Sequence, residues 1–197
     1  MNLLLAAVLA VSSHAAVKVG KDAPDFTLTD SKGKERRLSD FKGKIVVLEW
    51  YNRDCPYVKK HYGAGNMQRT QDAVTSKGAV WLTINSSAKG KQGHVDGKAF
   101  EALMKQDKGA PSHLLLDHDG TVGKLYGAKT TPHMYVIDPA GKLRYMGAID
   151  SIPSADPADI AKARNYVLAA VDALAGNQRV ETASTKPYGC GVKYASN

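Results

Sequence analysis

Residues 44–60 read KIVVLEWYNRDCPYVKK, an apolar run that leads through a short polar stretch to a cysteine and a proline. Lys44 to Trp50 is almost continuously apolar, which is the composition of a strand buried on both faces of a sheet. Proline suits the first position of a helix, where its missing N–H group loses no hydrogen bond. The stretch therefore predicts a central strand, a loop and a helix that begins directly after Cys55.

Strand and helix patterns alternate along the rest of the chain. Two short strands, Ala23–Thr29 and Glu35–Leu38, predict a hairpin before the central strand. Asp156, as N-cap, predicts one long helix that runs to Ala175. Further strands are predicted at residues 79–84, 112–116, 133–137 and 143–146, and further helices at residues 66–76 and 97–106. This order predicts an α/β fold with a mixed central sheet, helices on both faces and an N-terminal β-hairpin extension.

The composition is that of one globular domain. The chain has 197 residues, of which 43% are hydrophobic, and a formal net charge of +8. Its basic residues are spread along the chain in short pairs such as Arg36–Arg37, without an arginine-rich stretch or the aromatic motif of an RNA-binding sheet. We therefore expect no nucleic-acid partner.

Residues 1–16, MNLLLAAVLAVSSHAA, have the pattern of a secretory signal peptide. The uncharged run from Leu3 to Val11 is shorter than the roughly 20 residues that span a bilayer, and small residues lie at 13, 15 and 16. No Lys or Arg precedes the run, and a buried N-terminal strand or helix is the alternative. We predict cleavage after residue 15 or 16, a periplasmic or secreted protein, and no stable membrane insertion.

The chain has two cysteines, Cys55 and Cys190. In an oxidising compartment two cysteines can form one disulfide. Cys55 belongs to a predicted domain at residues 17–176, and Cys190 to a polar C-terminal tail at residues 177–197. Because glycine and proline surround Cys190, we expect this tail to be flexible.

Four segments resemble the thioredoxin superfamily, and more narrowly its peroxiredoxin-like (alkyl hydroperoxide reductase C/thiol-specific antioxidant, redoxin) branch. They are the opening hairpin with the central strand, the cysteine at a strand-to-helix junction, a Thr-Pro segment with its hairpin, and the tail motif. Their sequences are APDFTLTDSKGKERRLSDFKGKIVVLEW (23–50), DCPYVKKHY (54–62), DHDGTVGKLYGAKTTPHMYVIDPAGKLRYMG (117–147) and PYGCGVKY (187–194).

The resemblance implies roles for three further residues. Thr131 and Pro132 match the segment with a cis-proline that faces the active cysteine, where the residue before the proline offers its backbone to an extended substrate. Glu49 matches a buried acid that relays a proton to a cysteine, and its pKa would be raised by burial. The alternative for Glu49 is a structural acid that pairs with a lysine or faces solvent.

The sequence also departs from two family patterns. Val58 stands where thioredoxins have the second cysteine of Cys-x-x-Cys, so a dithiol cycle within that motif is impossible. Leu48 and Asn52 stand where peroxiredoxins have the proline and the Thr or Ser that precede their cysteine. Asn52 offers an amide in place of the missing hydroxyl.

The candidate chemistry is that of a thiol. The positive end of a helix favours a thiolate, so we predict for Cys55 a pKa below the ordinary value for cysteine; an inert buried cysteine is the alternative. Cys190 is suited to resolving a sulfenic acid or a mixed disulfide at Cys55, within one chain or across a homodimer. A permanent disulfide or a free thiol are the alternatives for Cys190.

These observations predict a thiol oxidoreductase that acts on peroxides or disulfides, with a slight preference for peroxides. Such an enzyme needs an external thiol reductant and no metal or organic cofactor. The alternative is a non-catalytic peptide-binding or chaperone module of the same fold, with a structural disulfide between Cys55 and Cys190.

Overall fold

The computed structural model describes residues 17–196, so the predicted signal peptide at residues 1–16 lies outside the described residues. Nine strands are assigned in this range: β1 Thr27–Asp30, β2 Glu35–Arg37, β3 Val46–Trp50, β4 Val80–Asn85, β5 His113–Leu116, β6 Thr130–Thr131, β7 His133–Ile137, β8 Leu143–Gly147 and β9 Cys190–Gly191. Five α-helices accompany them: α1 Pro56–Gly63, α2 Asn66–Thr75, α3 Gly97–Gln106, α4 Thr121–Tyr126 and α5 Tyr166–Ala175.

Seven strands form one mixed sheet in the order β2-β1-β5-β4-β3-β7-β8. Strand β3 lies at its centre, parallel to β4 and antiparallel to β7, and all five of its residues are buried. The predicted hairpin is present as the antiparallel pair of β1 and β2. The remaining strands, β6 and β9, pair with each other outside this sheet.

The alternation of side chains along the strands builds one core on each face of the sheet. On one face, Val47 packs with residues of α1, α2, α3 and α5. On the other face, Leu48 packs with residues of α4 and of the N-terminal hairpin region. The predicted α/β architecture, a mixed sheet with helices on both faces and an N-terminal hairpin, is thus confirmed.

The predicted long helix to Ala175 is wrong, because the chain between its two halves is extended. A 3₁₀ helix, Pro157–Lys162, follows the Asp156 cap, and α5 begins only after Asn165. An antiparallel β-bridge between Asp150 and Asn165 keeps this part of the backbone extended. The N–H of Tyr166 also donates a 2.9 Å hydrogen bond to the carbonyl of Ile149. Backbone contacts with Ile149 and Asp150, which lie outside the predicted helix, therefore interrupt it.

The tail lies along the domain through most of its length, contrary to the predicted flexibility. The N–H of Thr185 donates to the carbonyl of Met146 at 3.1 Å, and the N–H of Val192 to the carbonyl of Lys129 at 3.1 Å. Near its end, the ring of Tyr194 covers α4. In residues 17–196, no helix has the length and apolar composition needed to cross a membrane.

We expect Asn165→Ala to lower the free energy of unfolding by about 1–2 kcal/mol. The side chain of Asn165 accepts a hydrogen bond from the N–H of Leu168 as the N-cap of α5, and its amide donates to Thr70 at 3.0 Å. Urea denaturation measures the change. Asp156→Ala, which removes the exposed cap of the 3₁₀ helix, is the control, and an equal loss in both variants would contradict this explanation.

Candidate thiol redox site

Cys55 lies between β3 and α1, at the N-cap of the helix, with Pro56 at the first helical position. The carbonyl of Cys55 accepts a 2.9 Å hydrogen bond from the N–H of Lys59, and its own N–H donates to the carbonyl of Asn52 at 3.1 Å. The side chain is completely buried. The sulfur therefore lies at the positive end of α1, away from solvent.

The segment Thr131–Pro132 faces this sulfur across the fold. Its peptide bond is cis, as the resemblance implies. The Cys55 thiol donates to the carbonyl oxygen of Thr131, with 2.9 Å between sulfur and oxygen. The backbone edge next to the proline is therefore in direct contact with Cys55.

Cys190 reaches the same point from the other end of the chain. In the antiparallel pair of β6 and β9, Thr131 is the partner of Cys190. The backbone N–H of Cys190 points at the sulfur of Cys55, with 3.4 Å between nitrogen and sulfur. Both cysteines are free thiols, and Cys190 is partly exposed while Cys55 is buried. The tail thus covers Cys55 and places the second thiol beside it.

The two thiols differ in acidity because of their contacts. Burial opposes ionisation of Cys55, but hydrogen bonds from the Cys190 thiol and from the N–H groups of Val58 and Cys190 outweigh it and lower the pKa of Cys55. Burial, together with the contact to Cys55, raises the pKa of Cys190 to about 11. The first proton to leave the pair therefore leaves Cys55.

Nearby basic side chains take little part in this site. Arg53 pairs with Asp107 at 3.1 Å, while Lys60 and His61 face Asp150. The low pKa of Cys55 thus depends on hydrogen bonds more than on adjacent positive charge.

Asn52 shapes the loop before Cys55. Its side-chain oxygen accepts from the N–H of Asp54 at 2.9 Å, and its amide nitrogen donates to the carbonyl of Gln92 at 3.3 Å. The amide that the sequence suggested for substrate is therefore already hydrogen-bonded within the protein.

Glu49 lies at the centre of a separate buried cluster. Its carboxylate accepts hydrogen bonds from Tyr62 at 3.0 Å, Trp81 at 2.9 Å and Thr83 at 2.9 Å, and a longer one from Gln71. Burial outweighs these bonds and raises the pKa of Glu49 to about 7. Among the hydrogen bonds of the described residues, none joins this carboxylate to either sulfur.

The structure adds residues that the sequence did not single out for the site. Tyr188, two positions before Cys190, donates a short hydrogen bond to Asp150 and lies 3.3 Å from a ring nitrogen of His61. The tail motif PYGCGVKY was the only signal for Tyr188, and nothing in the sequence linked it to Asp150. No group of three metal-ligating side chains occurs in residues 17–196.

The buried low-pKa cysteine, the cis-proline segment and the second thiol define a thioredoxin-fold thiol oxidoreductase. Residues 19–146 match the AhpC/TSA family, and the chain belongs to this family. The match includes Cys55 and Pro132 but ends before the tail, so Cys190 lies outside it.

Two curated relatives illustrate the similarity. The chain is 28% identical over 156 residues to thiol-disulfide oxidoreductase ResA of Geobacillus thermodenitrificans, covering 72% of this chain and 80% of the relative. It is 33% identical over 113 residues to peroxiredoxin bcp of Coxiella burnetii, covering 57% of this chain and 68% of the relative.

Solved structures show the same fold. A hypothetical protein, SMc02350 of Sinorhizobium meliloti, superposes with a TM-score of 0.75 at 25% identity, covering 93% of this chain and 98% of the other. The thiol:disulfide interchange protein DsbE of Chlorobium tepidum superposes with a TM-score of 0.54 at 27% identity, covering 66% and 85%. These similarities do not favour a non-catalytic chaperone module.

We expect the two thiols to ionise in separate steps when the rate at which iodoacetamide alkylates each cysteine of the reduced protein is followed against pH by mass spectrometry. The first step, below the ordinary cysteine pKa, belongs to Cys55, and the second, with a pKa of about 11, belongs to Cys190. Cys190→Ala should raise the pKa of Cys55, because it removes the hydrogen bond from the second thiol. A low step that persists in Cys55→Ser would contradict the assignment.

The raised pKa of Glu49 makes stability depend on pH. The unfolded chain ionises this carboxyl near its ordinary value of 4.5, whereas its pKa in the folded protein is about 7. Between these values the folded state binds more protons, so the free energy of unfolding falls as pH rises, by up to roughly 3 kcal/mol. Glu49→Gln should flatten this fall in urea denaturation from pH 4 to 8. Glu101→Gln, at a partly exposed position of α3, is the control and should leave the fall in place.

Proposed function

We propose that Cys55 is the attacking thiol of this oxidoreductase and that Cys190 of the same chain resolves the product. The observation that carries the proposal is the pairing of Cys190 with Thr131, which holds the N–H of Cys190 3.4 Å from the sulfur of Cys55. The roles follow from acidity, since the thiolate is the nucleophile and Cys55 has the lower pKa. An intrachain reaction accounts for both cysteines without a homodimer.

The reaction with a disulfide substrate proceeds in two exchanges. The Cys55 thiolate attacks one substrate sulfur, and the other leaves as a thiolate. Cys190 then loses its proton and attacks the sulfur of Cys55, which releases the second substrate thiol and leaves the Cys55–Cys190 disulfide. An external thiol reductant must return two electrons to this disulfide to complete the cycle.

Disulfides fit the site better than the peroxides that the sequence slightly favoured. Cys55 has no hydroxyl side chain three positions before it, and the amide of Asn52 is occupied by the carbonyl of Gln92. In contrast, the backbone of Thr131 beside Cys55 already holds an extended segment that carries a cysteine, namely the tail. A substrate segment with a disulfide would present its sulfur in the same way.

The proposal includes an indirect role for Glu49 and a periplasmic or secreted location for the protein. Tyr62 of α1 links the carboxylate of Glu49 to the helix that Cys55 caps, which supports an indirect influence of Glu49 on the thiol. The signal-like residues 1–16 support a periplasmic or secreted protein, where a disulfide between the cysteines can form and persist.

The test mixes reduced protein with oxidised glutathione or with hydrogen peroxide, stops the reaction with acid, and identifies the products by mass spectrometry. Wild type should give an intrachain disulfide in the monomer, and Cys190→Ser should stop with one glutathione on Cys55. Cys55→Ser should react at least about tenfold more slowly, a difference of roughly 1.4 kcal/mol in the barrier.

Three outcomes would each contradict a part of the proposal. A disulfide-linked dimer as the main product would place the resolving cysteine on another chain. Glutathione found first on Cys190 would reverse the roles of the two thiols. Faster oxidation by hydrogen peroxide than by the disulfide, at equal concentrations, would restore the preference for peroxides.

A further inference from the structure

Tyr188 is held in a buried polar pocket formed by Tyr57, Lys60, His61 and Asp150, which we call the tyrosine pocket. The hydroxyl of Tyr188 donates to Asp150. The ring of Tyr57 meets the ring of Tyr188 edge to face at 5.7 Å, and the ammonium of Lys60 lies 5.9 Å from its centroid. The pocket thus contacts both the hydroxyl and the ring of Tyr188.

The hydrogen bonds of the pocket form one directed chain. The side-chain amide of Asn66 donates to Nδ1 of His61 at 2.8 Å, so the proton of the neutral ring is assigned to Nε2. Burial lowers the pKa of His61 to about 4, and the ring is therefore neutral at neutral pH. Nε2 can then donate to the hydroxyl oxygen of Tyr188 at 3.3 Å, while the hydroxyl donates to Asp150. Tyr188 completes the chain.

Asp150 depends on this contact. The residue is almost completely buried, and its Oδ2 accepts no hydrogen bond from the described residues, although Lys60 lies 3.8 Å away. Its Oδ1 accepts from the N–H of Ile152 and from the hydroxyl of Tyr188. Loss of one of these few donors would leave the buried carboxylate with one hydrogen bond fewer and raise the free energy of the folded protein. The pocket therefore favours a tyrosine at this point of the tail.

Gly189 fixes the distance between the pocket and the cysteine. Its φ of +143° is rarely adopted by residues with side chains, and a Cβ there would lie 2.1 Å from the carbonyl oxygen of Thr131. The backbone of the tail therefore touches the backbone of β6 at this residue. With Tyr188 in its pocket and Gly189 against Thr131, the next residue, Cys190, is placed beside Cys55.

We propose that Tyr188 is a positioning residue for the thiol reaction: its hydroxyl, bound in the tyrosine pocket, sets the register in which the tail delivers Cys190 to Cys55. This inference rests on the proposed function, because it concerns the step in which Cys190 resolves the mixed disulfide. The tyrosine pocket is thus a recognition site whose ligand is a Tyr-Gly-Cys segment of the same chain.

The decisive variant is Tyr188→Phe, which keeps the ring and removes only the hydroxyl. After mixing with oxidised glutathione, the rate of resolution by Cys190 should fall roughly 10- to 100-fold. This is the change in rate expected from the loss of one hydrogen bond to a charged group. The first step, attack by Cys55, should not slow. The mixed disulfide on Cys55 should therefore accumulate, and mass spectrometry of acid-stopped samples measures it.

Tyr194→Phe is the matched control, since it makes the same change on the other side of Cys190. The hydroxyl of Tyr194 also anchors the tail, with a 2.8 Å hydrogen bond to the carbonyl of Ala128. If Tyr188 only stabilised the tail in general, both variants would slow resolution alike. Resolution at the wild-type rate in Tyr188→Phe, or an equal loss in Tyr194→Phe, would overturn the proposal.

A double-mutant cycle tests whether Tyr188 acts through Asp150. Asp150→Asn, which removes the charge of the group that accepts from the Tyr188 hydroxyl, should also slow resolution. The combination with Tyr188→Phe should cost clearly less than the product of the two single effects, because both changes weaken the same hydrogen bond. Independent effects that simply multiply would assign the role of Tyr188 to another contact and overturn this part of the inference.

A second readout needs no turnover and separates this inference from the proposed function. In the Cys190→Ser background the tail still covers Cys55, which is then the only thiol. Adding Tyr188→Phe should increase the rate at which iodoacetamide alkylates Cys55, whereas adding Tyr194→Phe should change it less. If wild type forms no intrachain disulfide but this difference appears, the proposed function fails and the docking role of Tyr188 stands. An unchanged alkylation rate overturns the docking role.

Discussion

The sulfur of Cys55 lies between two backbone groups that come from different parts of the chain, and the rest of the site depends on this arrangement. The carbonyl of Thr131 accepts from the thiol, and the N–H of Cys190 is positioned to donate to the sulfur. A buried polar atom is stable only with partners, and here each protonation state of the sulfur has one. Burial of Cys55 is therefore compatible with ionisation, and the group positioned to donate to the ionised sulfur belongs to the tail.

Helix α1 connects that sulfur to two buried carboxyl groups, those of Glu49 and Asp150. Cys55 caps its first turn, while Tyr62 near its end donates to Glu49, and Lys60 faces Asp150. Hydrogen bonds do not fully offset the burial of Glu49, whose pKa is raised to about 7, and Oδ2 of Asp150 accepts no hydrogen bond from the described residues. A change in either group therefore acts on the helix that presents the thiol.

The position of the second thiol separates this chain from thioredoxins with Cys-x-x-Cys. Val58, one turn after Cys55, is buried in the core, and the second cysteine comes from the tail, beyond residues 19–146 that match the family. The two cysteines are 135 residues apart in the sequence. Bringing two such distant residues of an unfolded chain together costs conformational entropy. In the folded protein the contacts of Tyr188 and Gly189 hold the tail on the domain, so the two thiols are already close together before the reaction.

What the sequence determined by itself is local: the buried strand β3, the helix that starts at Pro56, and the hairpin are each encoded in consecutive residues. The proposed role of Cys55 rests on such segments together with a family resemblance, which also implied the cis peptide bond of Thr131–Pro132. The tertiary structure decided where a residue meets a distant partner: Asn165 bridges Asp150 and divides a predicted helix, the tail lies on the domain, and Tyr188 enters its pocket. Such contacts depend on the sheet bringing remote segments together, and sequence spacing carries no signal for them.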